Sequence, residues 1–227
     1  MSPPLKKTIV QCDFDGTVTE EDISFLLLDA FGEKDWRKYL DDYKAEKLTV
    51  GEFNRILFSA VKEGKDTLLD FLKKRAVKIR PGFRELLAYC RQKGYDFIVT
   101  SNGLDFYIDY VLKEAGLNHL RVFAARTTFK PEGLEVKFFT PDGRYIDDHF
   151  KTFFTRRYRE QGYRVIYIGD GSSDIYPARE AHHTFARGSL LELCREERIP
   201  HTPFEDFNDV IGGLKKLALP GDKDACK

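Results

Sequence analysis

Residues 9–19 of this chain read IVQCDFDGTVT, and no other stretch limits its possible folds so sharply. Ile9, Val10 and Cys12 form a short apolar run of the kind that fills a buried strand. The run stops at Asp13 and Asp15, two carboxylates that flank one aromatic and precede Gly16. An ionised carboxylate taken out of water without a partner is costly, so two of them are poor core material. They suit the end of a strand in an open α/β sheet, where backbone amides and side chains converge on ligands. Alone, the pattern also fits an Asx-type turn, so its partners downstream decide.

The next stretch, roughly Thr19 to Lys78, carries no strand signal. Apolar spacing predicts a helix over Asp22–Phe31 and another over Glu33–Glu46. A third runs from a Thr49 cap to Lys62, and a fourth from Lys65 to about Ala76. Four short helices that close on one another make a small bundle. Two charges in it stand out. Asp22 follows the acidic motif closely enough to face a cleft, and Arg55 is a cation on an otherwise apolar helix; a helix-start acid and a solvated Arg describe them equally well.

After Pro81-Gly82 the pattern alternates: helix Phe83–Lys93, strand Tyr95–Thr100, helix Asp105–Ala115 and a strand around Leu120–Ala124. Thr127–Lys130 and Leu134–Phe139 read as a hairpin. Helix Asp147–Glu160, strand Tyr163–Ile168, helix Asp174–Ala181 and strand His183–Ala186 follow. Helices over Leu190–Arg198 and about Glu205–Leu217 precede a polar tail, for which disorder is expected. The fold class is therefore α/β, with a helical insert behind the first strand.

Three further motifs bear on chemistry. In FIVTSNG, Phe97–Gly103, a strand ends at Ser101, whose hydroxyl and neighbouring amides suit a phosphate oxygen; a capped turn at Ser101 and Asn102 is the plainer alternative. Lys151, in DDHFKTFF, is either a solvated helix-start lysine or a neutraliser of anionic charge. In VIYIGDGSSD an apolar strand runs into Asp170 and, four residues on, Asp174. Oxygen ligands suit a hard ion such as Mg2+, so Asp13, the Asp15 carbonyl and Asp170 are the candidate ligands, with Asp174 orienting them. His182-His183 has no ligand-spaced partner and reads as structural rather than a zinc site.

These four motifs, in this order, resemble those of the haloacid dehalogenase superfamily. The resemblance implies a Rossmann-like, mostly parallel sheet core over 1–18 and 79–227, a helical cap over 19–78 inserted after the first motif, and a β-hairpin. It implies that Asp13 is the phosphorylated nucleophile and Asp15 the acid/base, with Thr17 helping to hold the loop. Ser101, Asn102 and Lys151 would bind phosphate, and Asp170 would be a Mg2+ ligand. Ser173 departs from the Asn of many relatives. The segment KLTVGEFNR, Lys47–Arg55, is similar to phosphoserine phosphatases, where an acid and an Arg at the positions of Asp22 and Arg55 bind the amino and carboxylate groups. TFARGSLLELCREERIPHTPFEDFNDV, Thr184–Val210, resembles the methionine-salvage phosphatases, which also carry Asp at the position of Asp22. That tail lies away from the catalytic motifs in the sequence. The resemblance thus implies a Mg2+-dependent phosphatase of a small phosphorylated metabolite, the methionine-salvage enol phosphate or phosphoserine. A phosphoryl transferase and a noncatalytic phosphate-binding module are the alternatives from other classes.

Composition narrows the partners. With 37 basic and 37 acidic residues the chain has no global field for nucleic acid or an anionic membrane. No apolar run approaches the roughly 20 residues of a membrane span. Cys12, Cys90, Cys194 and Cys226 form no CxxC pair and Met1 opens no charged and apolar leader, so a cytoplasmic protein with reduced thiols is expected, as a monomer or homodimer.

Overall fold

The computed structural model describes residues 7–45 and 47–217. The polar tail beyond Leu217, with Cys226, and the helix end expected at Glu46 lie outside them. In chain order the elements are β1 (Lys7–Cys12), α1 (Ile23–Phe31), α2 (Arg37–Lys44), α3 (Val50–Phe58), α4 (Lys65–Arg75), α5 (Phe83–Lys93), β2 (Asp96–Leu104) and α6 (Asp105–Glu114). There follow β3 (Val122–Lys130), β4 (Gly133–Phe139), β5 (Tyr145–Ile146), α7 (Phe150–Glu160) and β6 (Tyr163–Gly169). A 3-10 turn (Ser172–Asp174), α8 (Ile175–Glu180), β7 (His183–Ala186), α9 (Gly188–Glu196), β8 (His201–Pro203) and α10 (Phe207–Lys216) complete the described chain. The expected α/β class, with a mostly parallel sheet, helical insert and hairpin, is what the chain adopts.

These elements group into two compact units, one of residues 7–18, 79–100 and 151–217, the other of 19–78 and 101–150 with Glu46 outside the description. In the first, β2, β1, β6, β7 and β8 lie side by side and all run parallel. β1 is central, and Ile9, Val10, Gln11 and Cys12 are wholly buried. Its neighbours are β2 on one side and β6 on the other, so chain order reverses at β1. That reversal opens a crevice at the strands' carboxyl ends, where α/β sheets bind ligands. Phe83 of α5 packs against Phe207 of α10 and Phe97 of β2, with ring centroids 5.0 and 5.8 Å apart. A second cluster joins Tyr167, Ile175, Ala178, Ala186, Leu190 and Cys194.

The second unit holds α1–α4, α6 and the antiparallel strands β3, β4 and β5. Thr49 and Glu52 form a reciprocal capping box at the start of α3. Aromatic pairs tie the helices together: Phe25 with Trp36, Phe31 with Phe71 and Tyr43 with Phe53. At the hairpin, Gly133 sits at φ +140 and a Cβ there would meet the Ser59 carbonyl oxygen at 1.9 Å, so only glycine fits.

Several expected boundaries shift. The two strand pieces around 120–124 and 127–130 are one strand, β3, because Phe129 packs on Phe106 of α6 and the ladder with β4 runs unbroken from Arg126 to Lys130. β2 continues through Ser101-Asn102-Gly103 to Leu104 instead of ending before them. α2 begins at Arg37 rather than Glu33, where Trp36 and Arg37 both bond Asp29. α3 stops at Phe58, and the Ser59 hydroxyl bonds the Ile56 carbonyl. α7 starts at Phe150, not Asp147, since His149 takes a left-handed φ of 55 that a helix cannot absorb. Strands β5 and β8, of two and three residues, are too short to leave a periodic signal.

Candidate active site

The first unit brings three of the sequence-selected acids together at the carboxyl ends of β1 and β6. The Asp13 amide donates to the Ile168 carbonyl at 2.9 Å, extending the β1–β6 pairing to the acid itself. Carboxylate oxygens of Asp13, Asp170 and Asp174 all lie within 4.8 Å of one another. Lys151, in the first turn of α7, enters the same cluster. Its Nζ is 2.6 Å from Asp13 Oδ1 and 2.6 Å from Asp174 Oδ1, and its side chain is only 5% exposed. Lys151 is therefore no solvated helix-start lysine.

Its position is fixed at the backbone end as well. Gln11, a polar residue within buried β1, donates from Nε2 to Thr100 Oγ1 and to the Lys151 carbonyl, both at 2.9 Å. Thr155 Oγ1 donates to Gln11 Oε1 at 2.8 Å. Both amide protons and the amide oxygen thereby have partners, as a buried group requires.

Asp174 collects four donors. Lys151 Nζ and the Tyr167 hydroxyl reach Oδ1, at 2.6 and 2.5 Å, while the Asp170 and Gly171 amides reach Oδ2 at 3.0 and 2.9 Å. A carboxylate has about four acceptor sites, so Asp174 is saturated by the protein. Asp170 keeps more freedom: Thr17 Oγ1 donates to its Oδ1 at 2.6 Å.

The turn after Asp13 is built around these acids. Asp15 lies half-buried within it. Gly16 adopts φ +74, and a Cβ there would sit 2.4 Å from Asp170 Oδ2, so backbone conformation and space both demand glycine. The Gly16 carbonyl accepts from Arg80 Nη2 at 2.7 Å and Arg187 Nη1 at 2.9 Å, and the Thr17 carbonyl from Arg80 Nε at 2.9 Å. The Asp170 carbonyl accepts from the Leu190 amide and the Ser189 hydroxyl. The tail segment that looked remote from the motifs thus wraps them, a long-range contact with no sequence signal beyond the Arg-Gly-Ser itself.

Electrostatics follow from burial. Burial raises the Asp13 carboxyl well above the usual range, and the charge of Asp174 adds to this while Lys151 pulls it back. Burial and then Asp174 push Asp170 up to about 6, against the Thr17 hydrogen bond, Lys151 and Arg187. For Lys151 burial acts downward, but Asp13 and Asp174 outweigh it and hold the ammonium charged.

The remaining candidates lie in the second unit. Ser101 is buried, and its Oγ accepts from the Gly103 amide at 2.9 Å. Asn102 offers its carbonyl to Asn54 Nδ2 at 2.8 Å. Asp22 is the N-cap of α1 and accepts from the Phe25 amide at 2.9 Å. Arg55 pairs with Asp147 and donates to the Tyr145 hydroxyl at 2.6 Å; Tyr145 and Thr49 also donate to Asp147. The histidine pair serves structure: His182 Nδ1 accepts from the Val165 amide, and His183 bonds Thr202. Sequence reasoning missed Tyr167, Gln11, Arg80 and Arg187. A polar side chain inside an apolar strand was the available signal for the first two.

Residues 10–179 match the haloacid dehalogenase-like hydrolases. The 2-hydroxy-3-keto-5-methylthiopentenyl-1-phosphate phosphatase of Geobacillus thermodenitrificans (strain NG80-2) is 34% identical over 219 residues, spanning 94% of this chain and 98% of that protein. The protein of the same name from Exiguobacterium sibiricum is 34% identical over 214 residues, 91% of this chain and 95% of its own. A solved phosphoserine phosphatase, a phospho-aspartyl intermediate analogue, superposes with a TM-score of 0.69 at 18% identity, over 92% of this chain and 99% of that one. This last likeness speaks for the fold. Family match, full-length relatives and a shared fold agree: the chain belongs to the haloacid dehalogenase-like hydrolases, among their phosphatases.

Proposed function

We propose that this phosphatase is Mg2+-dependent, that it works through a phosphorylated Asp13, and that its substrate is the enol phosphate for which its curated relatives are named. The observation that carries the reaction is the buried Lys151 ammonium, 2.6 Å from Asp13 and held from behind by Asp174. A carboxylate beside a fixed, desolvated cation is placed to meet a phosphoryl dianion that it would otherwise repel.

Asp13 attacks phosphorus; its bond to phosphorus forms as the bond to the leaving oxygen breaks, and Asp15 gives that oxygen a proton. Asp15 then takes a proton from water, which attacks phosphorus, freeing inorganic phosphate and restoring Asp13. Lys151 spreads the charge on the phosphoryl oxygens, with Ser101 and Asn102 as further phosphate contacts by their place in the motif order.

The acidic cluster fits a hard divalent cation. Its donors are all oxygen, and Asp13 and Asp170 stay raised even with Lys151 and Arg187 pulling against burial, so positive charge is in deficit. Asp13, the Asp15 carbonyl and Asp170 would hold Mg2+, and saturated Asp174 would orient them. When bound, the ion neutralises charge on the phosphoryl group.

For the substrate, the support is kinship: relatives of that name reach 34% identity across nearly the whole chain. The cap candidates agree with it. Asp22 caps its own helix and Arg55 is neutralised by Asp147, an arrangement suited to a ligand without ammonium or carboxylate. The methylthio end of such a substrate needs apolar cover, which Phe25, partly exposed on α1, can supply, whereas Leu28 and Phe53 are buried. We place the enzyme in the cytoplasm, acting on a small metabolite without nucleic acid or membrane, as a monomer or homodimer. Cys12, Cys90 and Cys194, free and buried, accord with a reducing compartment, and no helix among the described residues is long and apolar enough to cross a membrane.

The test is kcat/KM for the enol phosphate and for phosphoserine at one Mg2+ concentration, repeated with chelator. We expect the enol phosphate to be favoured by about tenfold or more. A clear preference for phosphoserine overturns the substrate; failure to hydrolyse any phosphomonoester overturns the reaction.

A further inference from the structure

Tyr167 lies in the middle of β6, wholly buried, in a strand otherwise made of apolar residues at its core. Its ring is packed among Ile175, Ala178, Ala186, Leu190 and Cys194, which a phenylalanine would satisfy equally well. Packing therefore accounts for the ring and leaves the hydroxyl unexplained. That hydroxyl donates to Asp174 Oδ1 at 2.5 Å, the same oxygen that Lys151 Nζ contacts at 2.6 Å. Asp174 Oδ2 is already occupied by two backbone amides.

We propose that Tyr167 is a positioning residue for Lys151, acting through Asp174; as a role in catalysis this rests on the phosphatase reading. Asp174 Oδ1 has room for two donors. With Tyr167 filling one place, Lys151 supplies the other and keeps its equal contact with Asp13. Take the hydroxyl away and a wholly buried carboxylate loses one of four donors. The amides are fixed by the chain, so the lysine is the one donor able to compensate. It is drawn toward Asp174, and its charge is withdrawn from Asp13 and from any phosphoryl group there. Tyr167 is thus what leaves Lys151 shared.

The experiment compares wild type with Tyr167→Phe, each checked for folding by thermal melting. A hydrogen bond to a buried charge is worth enough to change a rate by roughly ten- to a hundredfold. With 4-nitrophenyl phosphate at saturating Mg2+, we expect kcat/KM to fall by about that factor and inhibition by inorganic phosphate to weaken in parallel. The second readout needs no turnover. The 15Nζ resonance of Lys151, assigned by its loss in Lys151→Met, should move in Tyr167→Phe. An unmoved resonance, or kinetics per folded molecule within about twofold of wild type, reduces the hydroxyl to a structural bond and overturns the proposal. If wild type hydrolyses no phosphomonoester, the phosphatase reading fails, and the resonance alone decides whether Tyr167 controls the lysine.

Discussion

Replacing Lys151 with methionine keeps most of the unbranched apolar stem and deletes the ammonium, which isolates the electrostatic part of the cluster. The lysine is 5% exposed and touches both Asp13 and Asp174 at 2.6 Å. Stripping one partner from a buried ion pair costs about 3–5 kcal/mol, because the survivor is left charged and unpaired. Two carboxylates lose a partner here, yet Asp174 keeps Tyr167 and two amides. The loss therefore falls mainly on Asp13, and about 3–5 kcal/mol, not twice that, is expected. Its pH dependence has a definite sign. Asp13 already titrates above its unfolded value, and losing the lysine raises it further. A carboxyl whose folded pKa is raised destabilises the fold once pH exceeds its unfolded value of about 4, increasingly so up to the folded pKa. The penalty should therefore be largest near about pH 8 and smaller near about pH 5. Urea unfolding of both proteins with EDTA at the two pH values measures it. A penalty under about 1 kcal/mol at the higher pH, or an equal penalty at both, would refute the reasoning.

Two further expectations concern the same cluster. Gly16→Ala must place a Cβ at φ +74 and 2.4 Å from Asp170 Oδ2, so about 1–2 kcal/mol of stability and most activity should be lost; near-normal values of both would show the turn to be pliable. Because Asp170 titrates at about 6, protons compete with the cation below that pH. The Mg2+ concentration for half-maximal activity should rise steeply as pH falls through 6, and a flat profile would remove Asp170 from the metal site.

How much of this was legible in the sequence depends on distance along the chain. Asp13, Asp170 and Lys151 were readable because each ends a strand or opens a helix, where a polar side chain has an unusual local setting. The helices α1, α4, α5 and α6 fall within a residue of their expected bounds, α1 and α4 from their apolar spacing and α5 from its flanking Pro and Gly. What stayed hidden is what long-range contact decides. Arg187 meets the Gly16 carbonyl across most of the chain, and nothing near either residue reports it. Asp147 was expected inside a helix; the left-handed His149 excludes it, and its carboxylate instead accepts from Thr49, Arg55 and Tyr145. Gln11 and Tyr167 were overlooked as members of apolar strands, although the large majority of buried polar groups have a partner. β8 escaped notice because three residues carry no periodicity.

The central claim is that Asp13 becomes phosphorylated. Protein mixed with substrate and Mg2+, quenched in acid within the first turnovers and digested for peptide mass spectrometry, tests it most directly. One added phosphoryl group is expected on the peptide containing Asp13, absent in Asp13→Asn and more abundant in Asp15→Asn, where the water step is slowed. Steady hydrolysis with no modified Asp13 peptide at any quench time, or turnover surviving in Asp13→Asn, would contradict it.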